Sequence, residues 1–92
     1  MKKAAKKVRL DKFLVERRVA KGLSQAEVSK YLNLKSPQYV SNIERGVCSP
    51  SLETLNKLIA LYDLDRLELI SYLVEEYKQE VIKKILRSSK SI

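Results

Sequence analysis

Between Gly22 and Gly46 the chain carries two helix starts and two helix stops within 25 residues. Ser24-Gln25-Ala26-Glu27 reads as a capping box, in which the Ser24 hydroxyl takes the amide of Glu27 and the Glu27 carboxylate takes the amide of Ser24. Val28, Tyr31 and Leu32 follow at helical spacing, and Asn33 stands where a left-handed residue ends a helix. Ser36-Pro37 opens the next helix, with Ser as N-cap and Pro at the first helical position, where its missing N–H is no loss. That helix is expected to run to Arg45 and stop at Gly46.

Three more helices flank this pair. The first spans residues 11 to 21, with Phe13, Leu14, Val15 and Val19 as its apolar positions, Asp11 at the positive end of its dipole and Gly22 as its stop. The fourth begins around Ser49-Pro50-Ser51 and runs from Leu52 to about Tyr62, with Leu52, Leu55, Leu58, Ile59 and Tyr62 on one stripe. The fifth runs from Leu64 or Asp65 to about Arg87. No segment alternates with period two, so no strand is expected. The expectation is one all-α domain of five helices. A basic flexible arm covers residues 1 to 10, a body 11 to 63, a long C-terminal helix 64 to 87 and a frayed tail 88 to 92.

The formal charge of +8 lies entirely in residues 1 to 47, which hold 12 Lys and Arg against 4 Asp and Glu. The remaining residues hold 7 of each sign. A one-sided positive field attracts polyanions, nucleic acid above all; a solubility effect of the basic arm is the alternative. The arm's Lys2, Lys3, Lys6, Lys7 and Arg9 either follow a phosphate backbone or are merely solvated. No apolar run is long enough to span a membrane and no secretory signal follows the basic start. The lone Cys48 forms no internal disulfide and reads as a small filler, in keeping with a cytoplasmic protein. The chain has no His, no Gly-rich phosphate loop and no metal-ligand spacing. An enzyme, a cofactor and a metal site are therefore not expected.

Two short helices separated only by Asn33-Leu34-Lys35 have the spacing of a helix-turn-helix, in which the second helix is offered to DNA. At about 100° per residue, turning Val40 and Ile43 inward sends Gln38, Ser41, Asn42 and Arg45 outward and leaves Glu44 on the inward flank. The outward face carries no acid. Gln and Asn pair bidentately with adenine, and Arg with guanine or a phosphate.

Three stretches in order, Gly22-Leu23-Ser24-Gln25-Ala26-Glu27-Val28-Ser29, Val40-Ser41-Asn42-Ile43-Glu44-Arg45-Gly46 and Ser49-Pro50-Ser51-Leu52-Glu53-Thr54-Leu55, resemble the Cro/cI-type (XRE, lambda-repressor-like) helix-turn-helix family. The resemblance covers residues 11 to 64. It implies a five-helix DNA-binding domain, a transcriptional repressor and a homodimer on a near-palindromic operator in double-stranded DNA. It also implies base contacts from Gln38, Ser41, Asn42 and Ser36. The implied phosphate contact of the family falls on Gln25. Folded elements make Lys35, Arg45 and Lys21 further phosphate candidates. Tyr39 flanks the face, either touching the DNA backbone or packing on the protein. Arg18 matches an Arg that pairs with the Glu of the recognition helix, here Glu44; the alternative is two solvated charges. The chain departs from the family pattern by one extra residue around Lys35-Ser36-Pro37 and by Asn33 in place of the usual Gly. Both lengthen the turn and blur which residue enters the groove first.

In the fifth helix, Leu67, Ile70, Val74, Tyr77 and Val81 recur at 3-4-3-4 spacing, a coiled-coil-like seam widened by Leu69, Leu73, Ile82, Ile85 and Leu86. A second copy is the simplest partner, with packing on its own domain as the alternative. Acids outnumber bases in residues 64 to 80, which argues against a membrane-surface helix. A second function is open: an antitoxin-like or adaptor protein whose C-terminal helix binds a different protein.

Overall fold

The computed structural model describes residues 9–90, with side chains for residues 9–87. Five helices follow in order: α1 (Leu10–Ala20), α2 (Gln25–Tyr31), α3 (Gln38–Glu44), α4 (Leu52–Tyr62) and α5 (Arg66–Lys90). Among the described residues there is no strand. Residues 1 to 8 of the basic arm, and residues 91 and 92 of the tail, lie outside them.

Local chemistry sets most of the helix ends. At α2 both halves of the capping box form, Glu27 N to Ser24 Oγ at 3.0 Å and Ser24 N to Glu27 Oε1 at 2.8 Å. Asn33 takes φ 65° just beyond this helix, and Leu34 N donates to Ser29 O at 2.9 Å. At α4 the Ser51 hydroxyl accepts from Thr54 N at 3.1 Å. Asp63 turns the chain at φ 58°, closed by Leu64 N to Ile59 O at 2.9 Å. Asp65 caps α5, its Oδ1 accepting from Leu67 N at 2.9 Å.

Several boundaries differ from the sequence expectation; α1 ends at Ala20 and α3 at Glu44, each one residue short of the expected end. Pro37 is the N-cap of α3 rather than its first helical residue: its ψ of 4° is not helical, while its carbonyl already accepts from Ser41 N. Ser36 is displaced one place further out, its hydroxyl accepting from Gln38 N at 3.3 Å. Leu10, expected in the arm, is the first residue of α1 and is buried. Its amide lacks a side-chain cap from Arg9 and donates instead to Glu76 Oε2 of α5 at 3.1 Å. Finally, α5 continues to Lys90, so residues 88 to 90 of the expected tail are helical.

The core forms where α1, α2, α3 and α4 converge: Phe13, Leu14, Val28, Val40, Leu55 and Leu58 are all buried. Each such side chain contributes about 1.5–3 kcal/mol by leaving water. Leu52, expected on the α4 stripe, is exposed in the first turn. The apolar positions of α5 divide between two faces. Leu69 joins the core, with Tyr72 and Leu73 packed against it, and the Tyr72 ring stacks on Phe13 with centroids 4.4 Å apart. Leu67, Ile70, Val74 and Tyr77 stay exposed. No helix among the described residues is long and apolar enough to cross a membrane.

Candidate nucleic-acid interface

The two helices of the motif are locked together behind their outer surface. Glu44, the last residue of α3, points its carboxylate inward, with the side chain 6% exposed. Arg18 of α1, 14% exposed, grips it in a fork, Nε to Oε2 at 2.7 Å and Nη2 to Oε1 at 3.0 Å. The third Arg18 donor, Nη1, reaches Leu23 O at 2.8 Å. Gln25 completes the site from the first turn of α2, its Nε2 donating to Glu44 Oε1 at 2.9 Å. The hydrogen bond that Arg18 donates to Glu44 is the main reason the Arg18 pKa rises above its ordinary value, with burial opposing it. Tyr62 lies against the same interior. Burial, reinforced by the Glu44 charge, pushes its phenol up to about 12. The one acid of α3 is thus neutralised on the inner side of the helix.

The outer side of α3 is a continuous polar lattice. Gln38 Nε2 donates to Asn42 Oδ1 at 2.9 Å, and Arg45 Nη2 donates to the same oxygen at 2.6 Å. Arg45 Nε reaches Ser41 Oγ at 3.3 Å. Gln38 and Arg45 are exposed, while Ser41 and Asn42 are half-buried. Four side chains spaced along two turns are therefore aligned by one another before any ligand arrives, with no carboxylate among them. Such a set offers amide, hydroxyl and guanidinium groups to the edges of bases.

The other singled-out residues sit around this lattice. Lys35 and Ser36 are exposed in the turn before α3. Lys21, just after α1, is exposed and lies 4.0 Å from Asp63 Oδ2, a loose surface pair of little energetic weight. The Tyr39 ring packs against the core, and its hydroxyl accepts from Ser51 N at 3.3 Å at the start of α4. Gln25 spends one amide hydrogen on Glu44 and keeps its other hydrogen and its oxygen for an outside partner. Along α5, Leu67 is 76%, Val74 59% and Tyr77 70% exposed, Ile70 is also exposed, and Val81 is half-buried.

Two structural links escape sequence reasoning. The bond of Gln25 to Glu44 joins residues 19 apart, and the bond of Leu10 to Glu76 joins residues 66 apart. Neither has a periodic or capping signature. The missing side-chain cap at Arg9 was the only local hint that α1 needs an acceptor from elsewhere.

A family model described as helix-turn-helix matches residues 14–69. The matched span begins inside α1 and ends inside α5, so it contains both helices of the motif and the Arg18–Glu44 pair. Neither curated proteins nor solved structures yield a match.

Proposed function

The chain belongs to the XRE-type (Cro/cI-like) helix-turn-helix family and is a DNA-binding transcriptional regulator; from that premise we propose that it is a sequence-specific repressor that binds a palindromic operator as a homodimer. The observation that carries this reading is the outer face of α3, an acid-free lattice of Gln38, Ser41, Asn42 and Arg45, with the one carboxylate of the helix, Glu44, sequestered by Arg18. On docking into a major groove, Gln38 and Asn42 exchange their mutual bond for base edges, with Ser41 and Ser36 as further base contacts. Gln25, Lys35, Arg45, Lys21 and Tyr39 would meet phosphates and set the register of the helix.

The exposed face of α5 supports the dimer. Leu67, Ile70, Val74 and Tyr77 are all exposed on one side of the helix, and Ile85 continues their line. A contiguous apolar stripe of this kind marks a protein–protein interaction site. Self-pairing through Leu67, Ile70, Val74, Tyr77 and Val81 would place two copies of α3 for two half-sites.

The test is a binding measurement on the gene's own upstream region and on random duplex of equal length, for the wild type and for Gln38→Ala/Asn42→Ala. Preference for the upstream region that disappears in a folded double variant supports the reading. Equal binding to both duplexes, unaffected by the substitutions, refutes it. A heterologous complex formed by α5 in place of a homodimer would favour the antitoxin-like or adaptor role.

A further inference from the structure

The basic residues at the far end of α5 have no part in the proposed dimer or in base reading. Residues 66 to 80 hold four acids and two bases, whereas residues 81 to 87 hold Lys83, Lys84 and Arg87 and no acid. All three bases are exposed, and none forms an ion pair among the described residues. They line one wall of a groove of 670 Å³ whose opposite wall is the start of α1 and the connection from α3 to α4, including Gly46 and Ser49. Four acids also line the groove: Glu76 accepts from Leu10 N, Asp11 pairs with Arg9 at 3.2 Å, Glu75 accepts from Gln79 Nε2 at 3.0 Å, and Glu80 stands one turn before Lys83 and Lys84 on α5.

This basic wall adjoins the recognition helix. Gly46 follows Arg45 directly, and a Cβ built on Gly46 would stand 2.9 Å from Arg9 Nη2 and 2.7 Å from Asp11 Oδ2. The Arg9 guanidinium therefore rests against Gly46, at the C-terminal end of the motif. On α5 itself, at about 100° per residue, the three bases fall on the flank that includes Leu69. Lys83 and Arg87 lie about 160° and 120° from the centre of the Leu67–Val81 stripe and Lys84 about 60° from it, so pairing through that stripe leaves Lys83 and Arg87 uncovered and Lys84 at its edge.

We propose that Lys83, Lys84, Arg87 and Arg9 form a second phosphate-binding surface, which grips the backbone of the same duplex that α3 reads. This rests on the DNA-binding reading above and adds to it a contact that carries affinity but no sequence information. Lys83, Lys84 and Arg87 form no ion pair among the described residues, and with Arg9, which pairs with its neighbour Asp11, they would complement a polyanion lying against α3.

The test uses the full chain with Lys83→Gln/Lys84→Gln/Arg87→Gln, and separately Arg9→Gln. Both are titrated with the upstream and random duplexes from ~50 to ~300 mM salt, with dimerisation followed by sedimentation. At ~0.1 M salt each lost phosphate contact weakens binding about eightfold and flattens the slope of log K against log salt by about 0.9. The triple variant is expected to bind both duplexes at least tenfold more weakly, with a slope shallower by about 2 to 3, an unchanged preference ratio and an intact dimer. The single variant should flatten the slope by about 1. Unaltered affinity and slope would overturn the proposal, as would loss of binding that tracks loss of the dimer, which would assign these bases to a protein interface. Wild-type binding that is equal on both duplexes would defeat the sequence-reading function, while a flattened slope in the triple variant would still support the phosphate surface.

Discussion

Replacing Arg18 by Met tests the lock behind the recognition helix. The substitution keeps the bulk of the side chain and removes three donated bonds, two to Glu44 and one to Leu23 O. Glu44 stays 94% covered, with Gln25 as its one remaining hydrogen-bond partner among the described residues. Removing one partner of a buried ion pair costs about 3–5 kcal/mol, because the other charge is left desolvated. The Gln25 bond and the residual solvent access of Arg18 place the expected loss near the lower end, about 3 kcal/mol. Against a total stability of ~5–14 kcal/mol for a chain of this length that is a large fraction. It corresponds to a fall in Tm of roughly 12–24 °C. The assay is urea unfolding followed by circular dichroism for the wild type, Arg18→Met, Glu44→Met and the double variant. The double variant should be less destabilised than the sum of the singles, with a coupling of at least about 1.5 kcal/mol. A loss under 1 kcal/mol for Arg18→Met, with additive singles, would show a solvent-screened pair and refute the argument.

Three other outcomes are expected. Ser29→Ala should raise stability by about 1 kcal/mol in urea unfolding, since the Ser29 hydroxyl is buried in α2 without a hydrogen-bond partner among the described residues and Ala is the better helix former. Val74→Glu on the exposed face of α5 should abolish dimer in sedimentation while leaving the helical signal unchanged; persistence of the dimer would move the interface elsewhere. Stability should fall as pH rises from 10 to about 12, because the Tyr62 phenol ionises in the unfolded chain at about 10 but in the folded chain only near 12. Below pH 10 both states hold the proton and the contribution is fully present. Across the window up to about 2–3 kcal/mol is lost, and Tyr62→Phe should remove this dependence.

The features legible in the sequence are those whose cause is local. Ser24 and Glu27 bond across three residues, Ser51 and Thr54 likewise, and Asn33 needs only its own tolerance of positive φ. Helical periodicity separates the outward Gln38, Ser41, Asn42 and Arg45 from the inward Val40 and Ile43, because 100° per residue is a property of the backbone. The start of α3 was misplaced by one residue where two local signals compete. Ser36 and Pro37 each favour a helix entry, and the ψ of Pro37 decides between them.

What only the tertiary structure decided is which polar groups meet and which apolar faces are covered. Periodicity marks α5 as apolar over a broad arc but cannot divide that arc. The packing of Phe13 on Tyr72 and the burial of Leu69 assign one face to the body and leave Leu67, Val74 and Tyr77 to solvent. Likewise the acceptor for Leu10 N comes from Glu76 and the third bond to Glu44 from Gln25. Caps and periods act within one or two helical turns, whereas a buried donor is satisfied by whatever acceptor the fold brings within 3 Å, however distant in the chain.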